Sequence, residues 1–488
     1  MINNYKKILI ITLLINIAFF AYYFANSDIN PSVDAFYYLA IADSFHNGTG
    51  FANITTDPPR PIYTPQNGIV FIHVLLQAIG LHGAESRLLV IKFINYLGFL
   101  LLIYVFYNVF KQFKVSSELT FLSLGILLSG AHFFKTLNQP LNEGMWCVLT
   151  AIVFYLAILN ENKESYAKIA AIALSGIVLA NFRLNGPVII LSIAITYVLL
   201  KKITNSLIFI IIFIMSYTSI YIILTMLKAD CSGFQTVGSV YSYDFIFNRP
   251  LMSLVYTVPS VFLGISGSRN MTLFFTPPGE SLAVTGKWLV TLPFSLLLFL
   301  FYGLYLRKYL KFKSFPNLLI ISYIILLLVI LQIMPGGDSR YIIMILPFTL
   351  LAITIYFNDS RKLRVFLGII LLFTISVSMY RLVWFDSIYF INNKSYVNIK
   401  NQMSEPYMLI SEASSYSYYI FGKFSNNVKD ISKRERCIVV FGNDKYIART
   451  INSMHNKLDI DNIEYLKDKI IAGRDPNEIY RTVKIIAK

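Results

Sequence analysis

A small set of ionisable residues stands at the ends of long apolar runs in this chain, or in the loops just beyond them: Asp34, Arg60, Lys135, Glu143, Arg183 and Arg340. Their types suit one kind of chemistry. A carboxylate within about 3 Å of a hydroxyl can take its proton. Guanidinium and ammonium groups can hold an oxyanion as charge develops on it, and arginine does so through two parallel hydrogen bonds. Each residue also has a plainer role. An acid at Asp34 suits the first turn of a helix, with Ser32 available as its cap. Arg183 and Arg340 sit where snorkelling arginines are common, and Glu143 could be a polar span terminus. Tyr37, Tyr38 and Tyr63 fit an interfacial aromatic belt. The five histidines (His46, His73, His82, His132 and His455) are scattered. Cys147, Cys231 and Cys437 lack metal-ligand spacing, so no zinc site is expected.

The elements that must position these residues are hydrophobic helices. Over 488 residues the apolar share is 56% and the charged share 14%, roughly half the charge of a soluble domain. Apolar runs cover residues 8–25, 87–110, 118–134, 141–159, 166–181, 186–200, 204–227, 284–307, 316–334, 341–357 and 363–384. About 20 residues cross a bilayer core, so the sequence predicts a polytopic α-helical membrane protein of about 11 spans. The two runs at 166–181 and 186–200 are short for a crossing. The run at 8–25 follows Lys6 and Lys7 without a small-residue cleavage site, which reads as an uncleaved first span.

Charge gives the orientation. With the N-terminus inside, Lys6/Lys7, Lys111/Lys114, Lys163/Lys168, Lys201/Lys202, Arg307/Lys308/Lys311/Lys313 and Arg361/Lys362/Arg364 all fall in cytoplasmic loops, as positive-inside sorting requires. The net charge of +16 therefore belongs to membrane topology, and no basic stripe suggests nucleic acid. An odd span count puts the C-terminus outside.

Three segments fall on that outer side. The first, 26–86, holds an amphipathic helix from Asp34 to Phe45, a Pro-rich stretch, and an interfacial apolar stretch at 69–80. The second is the loop 228–283. The third, 385–488, reads as a small soluble α/β domain, with strands at Met408–Ser411 and Cys437–Phe441 and a helix at Asn462–Ile471. Residues 1–384 form the membrane domain. No internal repeat is visible, which weighs against a secondary transporter.

The order of these features resembles the GT-C superfamily of polyprenyl-phosphate-sugar glycosyltransferases. That superfamily includes protein O-mannosyltransferases and the lipid A aminoarabinose transferase. The matching pieces are Val33-Asp34-Ala-Phe-Tyr-Tyr through Gly48, then Pro58-Pro-Arg60-Pro-Ile-Tyr-Thr-Pro65, Asn138-Gln-Pro-Leu-Asn-Glu143, Ala180-Asn-Phe-Arg183, Asp338-Ser-Arg340-Tyr341 and Met408 to Gly422. The resemblance implies that Asp34 is the general base. It implies that Arg183, Arg340 and Lys135 meet the lipid phosphate, that Arg60 and Tyr341 also bind substrate, and that Glu143 orients an arginine or the acceptor. Many members carry two adjacent acids where this chain has Asp34 followed by Ala35. Asp43 does not replace the second, because nine residues at about 100° each put it on the opposite face of a helix. Neither a metal nor a cofactor is expected.

The resemblance implies an inverting transferase of a bacterial inner membrane. It would pass a sugar, such as glucose, from undecaprenyl phosphate to a periplasmic surface glycan such as lipopolysaccharide O-antigen. A donor-lipid synthase and a flippase would act upstream. The competing readings are an O-antigen polymerase or ligase, which would concentrate function in the 228–283 loop, and a transporter or flippase, which would place ionisable residues within the spans. Topology is directly testable. A reporter active only in the periplasm should be active when fused after Lys488 and silent after Lys202; the reverse pattern would put Asp34 in the cytoplasm.

Overall fold

The computed structural model describes residues 2–26, 33–53, 60–61, 67–161, 166–183, 185–227, 280–333, 343–380, 407–412, 421, 431, 437–455, 458–471 and 479–487. Helix α1 (Ile2–Asn26) leads to α2 (Val33–His46), the strand pair β1 (Ala52–Asn53) and β2 (Arg60–Pro61), and α3 (Asn67–Ala78). A bundle follows: α4 (Ala84–Gln112), α5 (Ser117–Ser129), α6 (Ala131–Asn138), α7 (Glu143–Glu161), α8 (Tyr166–Phe182), α9 (Val188–Leu199) and α10 (Ile203–Leu227). Then come α11 (Glu280–Phe312), α12 (Phe315–Ile333), α13 (Ile345–Tyr356) and α14 (Arg361–Tyr380).

Among the described residues, α4, α7 and Ile203–Ile220 of α10 are long and apolar enough to cross a bilayer. Other helices are shorter than their apolar runs. Gly130 adopts an extended conformation and splits the 118–134 run into α5 and α6. Helices α9 and α13 have 12 residues each, or about 18 Å, and are buried along most of their length inside the bundle. Lipid faces a different set of side chains: Leu101, Tyr104, Ile211, Ile214, Leu297 and Leu300 are exposed, as expected where the surrounding solvent is hydrocarbon.

Helix α2 is not the half-exposed amphipathic helix its sequence suggests. Ala35, Phe36 and Tyr38 through Ala42 are all buried. One apolar cluster joins them to Ile69 of α3 and to Leu409, Phe421, Val439 and Phe441 from the C-terminal segment. The cluster that buries α2 thus extends to the C-terminal elements. They form a four-stranded sheet of order β3-β4-β6-β5, built from β3 (Met408–Ser411), β4 (Cys437–Asn443), β5 (Ile460–Ile471) and β6 (Ile479–Ala487). Strands β3 and β4 are parallel and the other pairs antiparallel. Helix α15 (Asp444–His455) packs on the sheet through Ile447, Ile451 and Met454. The segment Asn462–Ile471, read from sequence as a helix, is strand β5. Its pairing with β6 overrides the helix-forming tendency of its Glu, Leu and Lys residues.

A polar node locks α2 to its neighbours. Arg87 Nη2 donates to Asp43 Oδ1 at 2.7 Å, and Gln77 Nε2 donates to the same oxygen at 2.6 Å. Arg87 is almost fully buried. Nearby His73 is also buried, and desolvation followed by the Arg87 charge lowers its pKa to about 3. A neutral imidazole adds no second positive charge to the node. The sequence had left Asp43 without a role on the far face of its helix; it is instead the tie between α2, α3 and α4. Asp43→Asn would remove the counter-charge of a buried arginine and should therefore destabilise the protein.

Helix ends close through left-handed residues. Gly48 (φ 78°) and Gly80 (φ 94°) follow α2 and α3, while Lys114 (φ 53°), Lys201 (φ 60°) and Lys313 (φ 47°) follow α4, α9 and α11. The conformation is free for glycine and costs an L-residue about 1–2 kcal/mol.

Candidate active site

The start of α7 and the end of α8, packed beside α4 and α3, bring two charges together. Asn95 of α4 donates through Nδ2 to the carbonyls of Gln139 (2.5 Å) and Leu141 (3.2 Å), fixing the turn that leads into α7. Gly144 makes that turn possible. A Cβ there would stand 2.5 Å from the Leu137 carbonyl and 2.7 Å from the Asn95 side chain, so only glycine lets the first turn of α7 nest against α4 and α6. Past the end of α8, the Arg183 N–H returns to Leu179 O (2.9 Å) and the Gly186 N–H to Arg183 O (2.8 Å).

Arg183 Nη2 donates to Glu143 Oε1 across this junction. Both side chains are almost wholly buried, at 5% and 2% exposure. Each charge also suits its helix end: the carboxylate opens α7 and the guanidinium follows the last turn of α8. The pair is tied to α3 by a second contact. Asn67 Nδ2 donates to Asn181 Oδ1 at 3.0 Å, and Asn181 Nδ2 donates to Ser219 Oγ at 3.3 Å.

Helix α2 reaches the same place. Ala35 and Phe36 share one apolar cluster with Leu141, two residues before Glu143, and with Ala180, three residues before Arg183. Asp34 lies in the first turn of α2, beside Ala35. Arg60 lies in β2, with its backbone paired to Asn53 of β1 beyond the Gly48 turn. Lys135 is on α6. The side chains of Asp34, Arg60 and Lys135, and Arg340 and Tyr341 altogether, lie outside the described residues. Of the sequence-predicted residues, then, the structure pairs Glu143 with Arg183, and the helix that carries Asp34 packs on α3.

Sequence reasoning missed Asn67, Asn95 and Asn181. Their signal was weak: each is a single amide in an apolar stretch, with partners far along the chain. Among the described residues no group of three or more His, Cys, Asp or Glu side chains gathers as a metal site would require.

No protein-family model matches the sequence, and no curated protein matches it significantly. Solved structures do. ArnT from Cupriavidus metallidurans bound to undecaprenyl phosphate superposes with a TM-score of 0.56 at 12% identity, over 98% of this chain and 97% of that one. Its apo state gives a TM-score of 0.54 at 11% identity over the same shares. The chain has the GT-C fold. A further GT-C structure is similar over less of its length. The archaeal oligosaccharyltransferase AglB from Archaeoglobus fulgidus, in complex with an inhibitory peptide and a dolichol-phosphate, has a TM-score of 0.50 at 13% identity, over 89% of this chain and 69% of that one.

Within this GT-C fold, a buried pair at the mouth of the bundle can hold a guanidinium at a fixed angle, and an arginine fixed in this way can present its remaining N–H groups to an oxyanion. The pair makes a stability prediction. Arg183→Met should destabilise by about 3–5 kcal/mol, because it leaves the Glu143 carboxylate buried without its counter-charge. Glu143→Leu combined with Arg183→Met should recover most of that loss in thermal unfolding of the purified protein. A double variant no more stable than the single would mean that the two charges are not partners.

Proposed function

We propose that this chain is an inverting glycosyltransferase that moves a sugar from a polyprenyl-phosphate donor to an acceptor hydroxyl at the outer membrane-water boundary. The observation that carries this reading is the buried Glu143–Arg183 pair where α7 begins and α8 ends. The likeness in fold to ArnT with undecaprenyl phosphate and to AglB with a dolichol-phosphate supports a lipid-phosphate ligand. In the more specific form, the donor is undecaprenyl-phosphate hexose, such as glucose. The acceptor is a surface glycan such as lipopolysaccharide O-antigen, and the site faces the periplasm of a bacterial inner membrane. The protein crosses that membrane about 11 times.

The chemistry follows from the residue types. Asp34 takes the proton of the acceptor hydroxyl, whose oxygen attacks the anomeric carbon from the face opposite the phosphate. The bond between that carbon and the phosphate oxygen breaks, and the electron pair leaves with the polyprenyl phosphate. Arg60, Arg183 and Arg340, with Lys135 and Tyr341, hold the departing phosphate as its negative charge grows. Glu143 fixes the angle at which Arg183 meets it. A preset guanidinium needs no reorganisation during the reaction, which is the basis of electrostatic catalysis.

Asp34→Asn tests the reading. Asparagine keeps the size and still caps a helix, but it does not take a proton at neutral pH. Loss of a general base lowers turnover about 100- to 10,000-fold, or roughly 3 to 5.5 kcal/mol. Transfer from undecaprenyl-phosphate hexose in membranes, at matched protein levels, should fall by that factor with insertion unchanged. Retention of more than about a tenth of wild-type turnover would leave Asp34 a helix cap.

A further inference from the structure

The left-handed residues that close the helices are sorted by membrane face. Behind α2, the Gly48 N–H returns to Phe45 O and the Thr49 N–H to Ser44 O, each at 3.0 Å; behind α3, Gly80 returns to Gln77 O and Leu81 to Leu76 O, each at 2.9 Å. The ends of α4 and α9 use the same pair of bonds. Lys114 and Val115 return to Lys111 O (3.0 Å) and Phe110 O (3.1 Å), and Lys201 and Lys202 to Val198 O and Tyr197 O, each at 2.9 Å. At the end of α11 the Lys313 N–H returns to Tyr309 O at 2.8 Å. One backbone requirement is thus met by glycine behind α2 and α3 and by lysine behind α4, α9 and α11. The helix macrodipole favours a cation at all of these ends equally. It therefore does not explain why only one face uses lysine against its conformational preference.

The lysine turns form one continuous face. Asn358 bridges two of its loops, donating to Lys114 O at 3.0 Å and accepting from the Ser116 N–H at 2.8 Å. Lys308 Nζ stands 4.5 Å from the centre of the Tyr356 ring, bringing the end of α11 beside the end of α13. The Tyr197 and Phe315 rings, 4.9 Å apart, join the Lys201 turn to the Lys313 turn. Lys111, Lys114, Lys201, Lys313, Arg361 and Lys362 are all exposed there. Of the described acids on this face, Glu118 is paired with Arg364, Glu161 lies within the field of Lys202, and Asp359 is exposed.

We propose that Lys114, Lys201 and Lys313 form a binding surface for the phosphate groups of anionic phospholipids in the leaflet that meets this face. The left-handed backbone holds each lysine at the tip of its turn, level with the headgroups, where anionic lipid attracts it. The surface rests on the membrane reading of the fold and is independent of the transfer reaction, so loss of one leaves the other standing. By the charge pattern of the loops, this leaflet is the cytoplasmic one.

The test uses the full chain in phosphatidylcholine nanodiscs with and without phosphatidylglycerol. Ligands that bind only the native state raise its melting temperature. The wild type should melt roughly 3 °C or more higher in the anionic discs, and added salt should erase part of that rise. The triple variant Lys114→Gly, Lys201→Gly, Lys313→Gly should melt no lower than wild type in neutral discs, because its turns are relaxed, and should lose most of the anionic rise. The corresponding triple arginine variant should keep the rise. If the glycine variant fails to fold, Lys→Asn at the same positions removes the charge while tolerating the left-handed conformation. An undiminished anionic rise in the glycine or asparagine variant, or a rise insensitive to salt, overturns the proposal.

Discussion

The buried ion pair between Glu143 and Arg183 is the constraint around which one end of the bundle is arranged. Two charges removed from water are costly, and their mutual attraction repays that cost only when geometry is well controlled. The surrounding residues supply the control. Asn95 pins the turn before Glu143 and Gly144 lets α7 approach α4. Asn181 ties the end of α8 to α3 and α10. An apolar pair of similar volume would give equal stability with fewer demands on its neighbours. The chain instead keeps an acid and an arginine at the mouth of the bundle, where a fixed cation has a use.

Each end of the bundle meets a different environment. Where α7 begins and α8 ends, charge is buried and paired, and the turns behind α2 and α3 are relaxed with glycine. At the other end, charge is exposed and the turns are strained by lysine. A left-handed lysine costs about 1–2 kcal/mol, and a basic residue near an anionic leaflet gains about 1 kcal/mol. The two effects are of similar size, so the strain can be offset in the membrane and is uncompensated in neutral surroundings.

The bundle and the charges at its ends were legible in the sequence because hydrocarbon filters composition so strongly. Glu143 and Arg183 stood out as ionisable groups at the limits of apolar runs, and the structure joins them. What failed depended on contacts distant in sequence. Helix α2 looked amphipathic, yet most of its residues are buried, in an apolar cluster that also includes Leu409, Phe421, Val439 and Phe441 of the C-terminal segment. Asp43 seemed idle because its partners, Gln77 and Arg87, belong to other helices. Strand β5 read as a helix because Glu464, Leu466 and Lys467 favour one in isolation, whereas its pairing with β6 is a tertiary fact. The short length of α9 was visible in the 186–200 run, whereas that of α13 escaped the sequence, since hydropathy does not separate a buried helix from a lipid-facing one.

The most direct measurement is photo-crosslinking of the purified protein to an undecaprenyl phosphate carrying a diazirine next to its phosphate, with the labelled peptides located by mass spectrometry. A lipid phosphate held at the Asp34 end of the bundle should label α2 and α3 and the turns before Glu143 and after Arg183, in competition with unlabelled undecaprenyl phosphate. Competable labelling confined to the turns that carry Lys114, Lys201 and Lys313 would contradict this account.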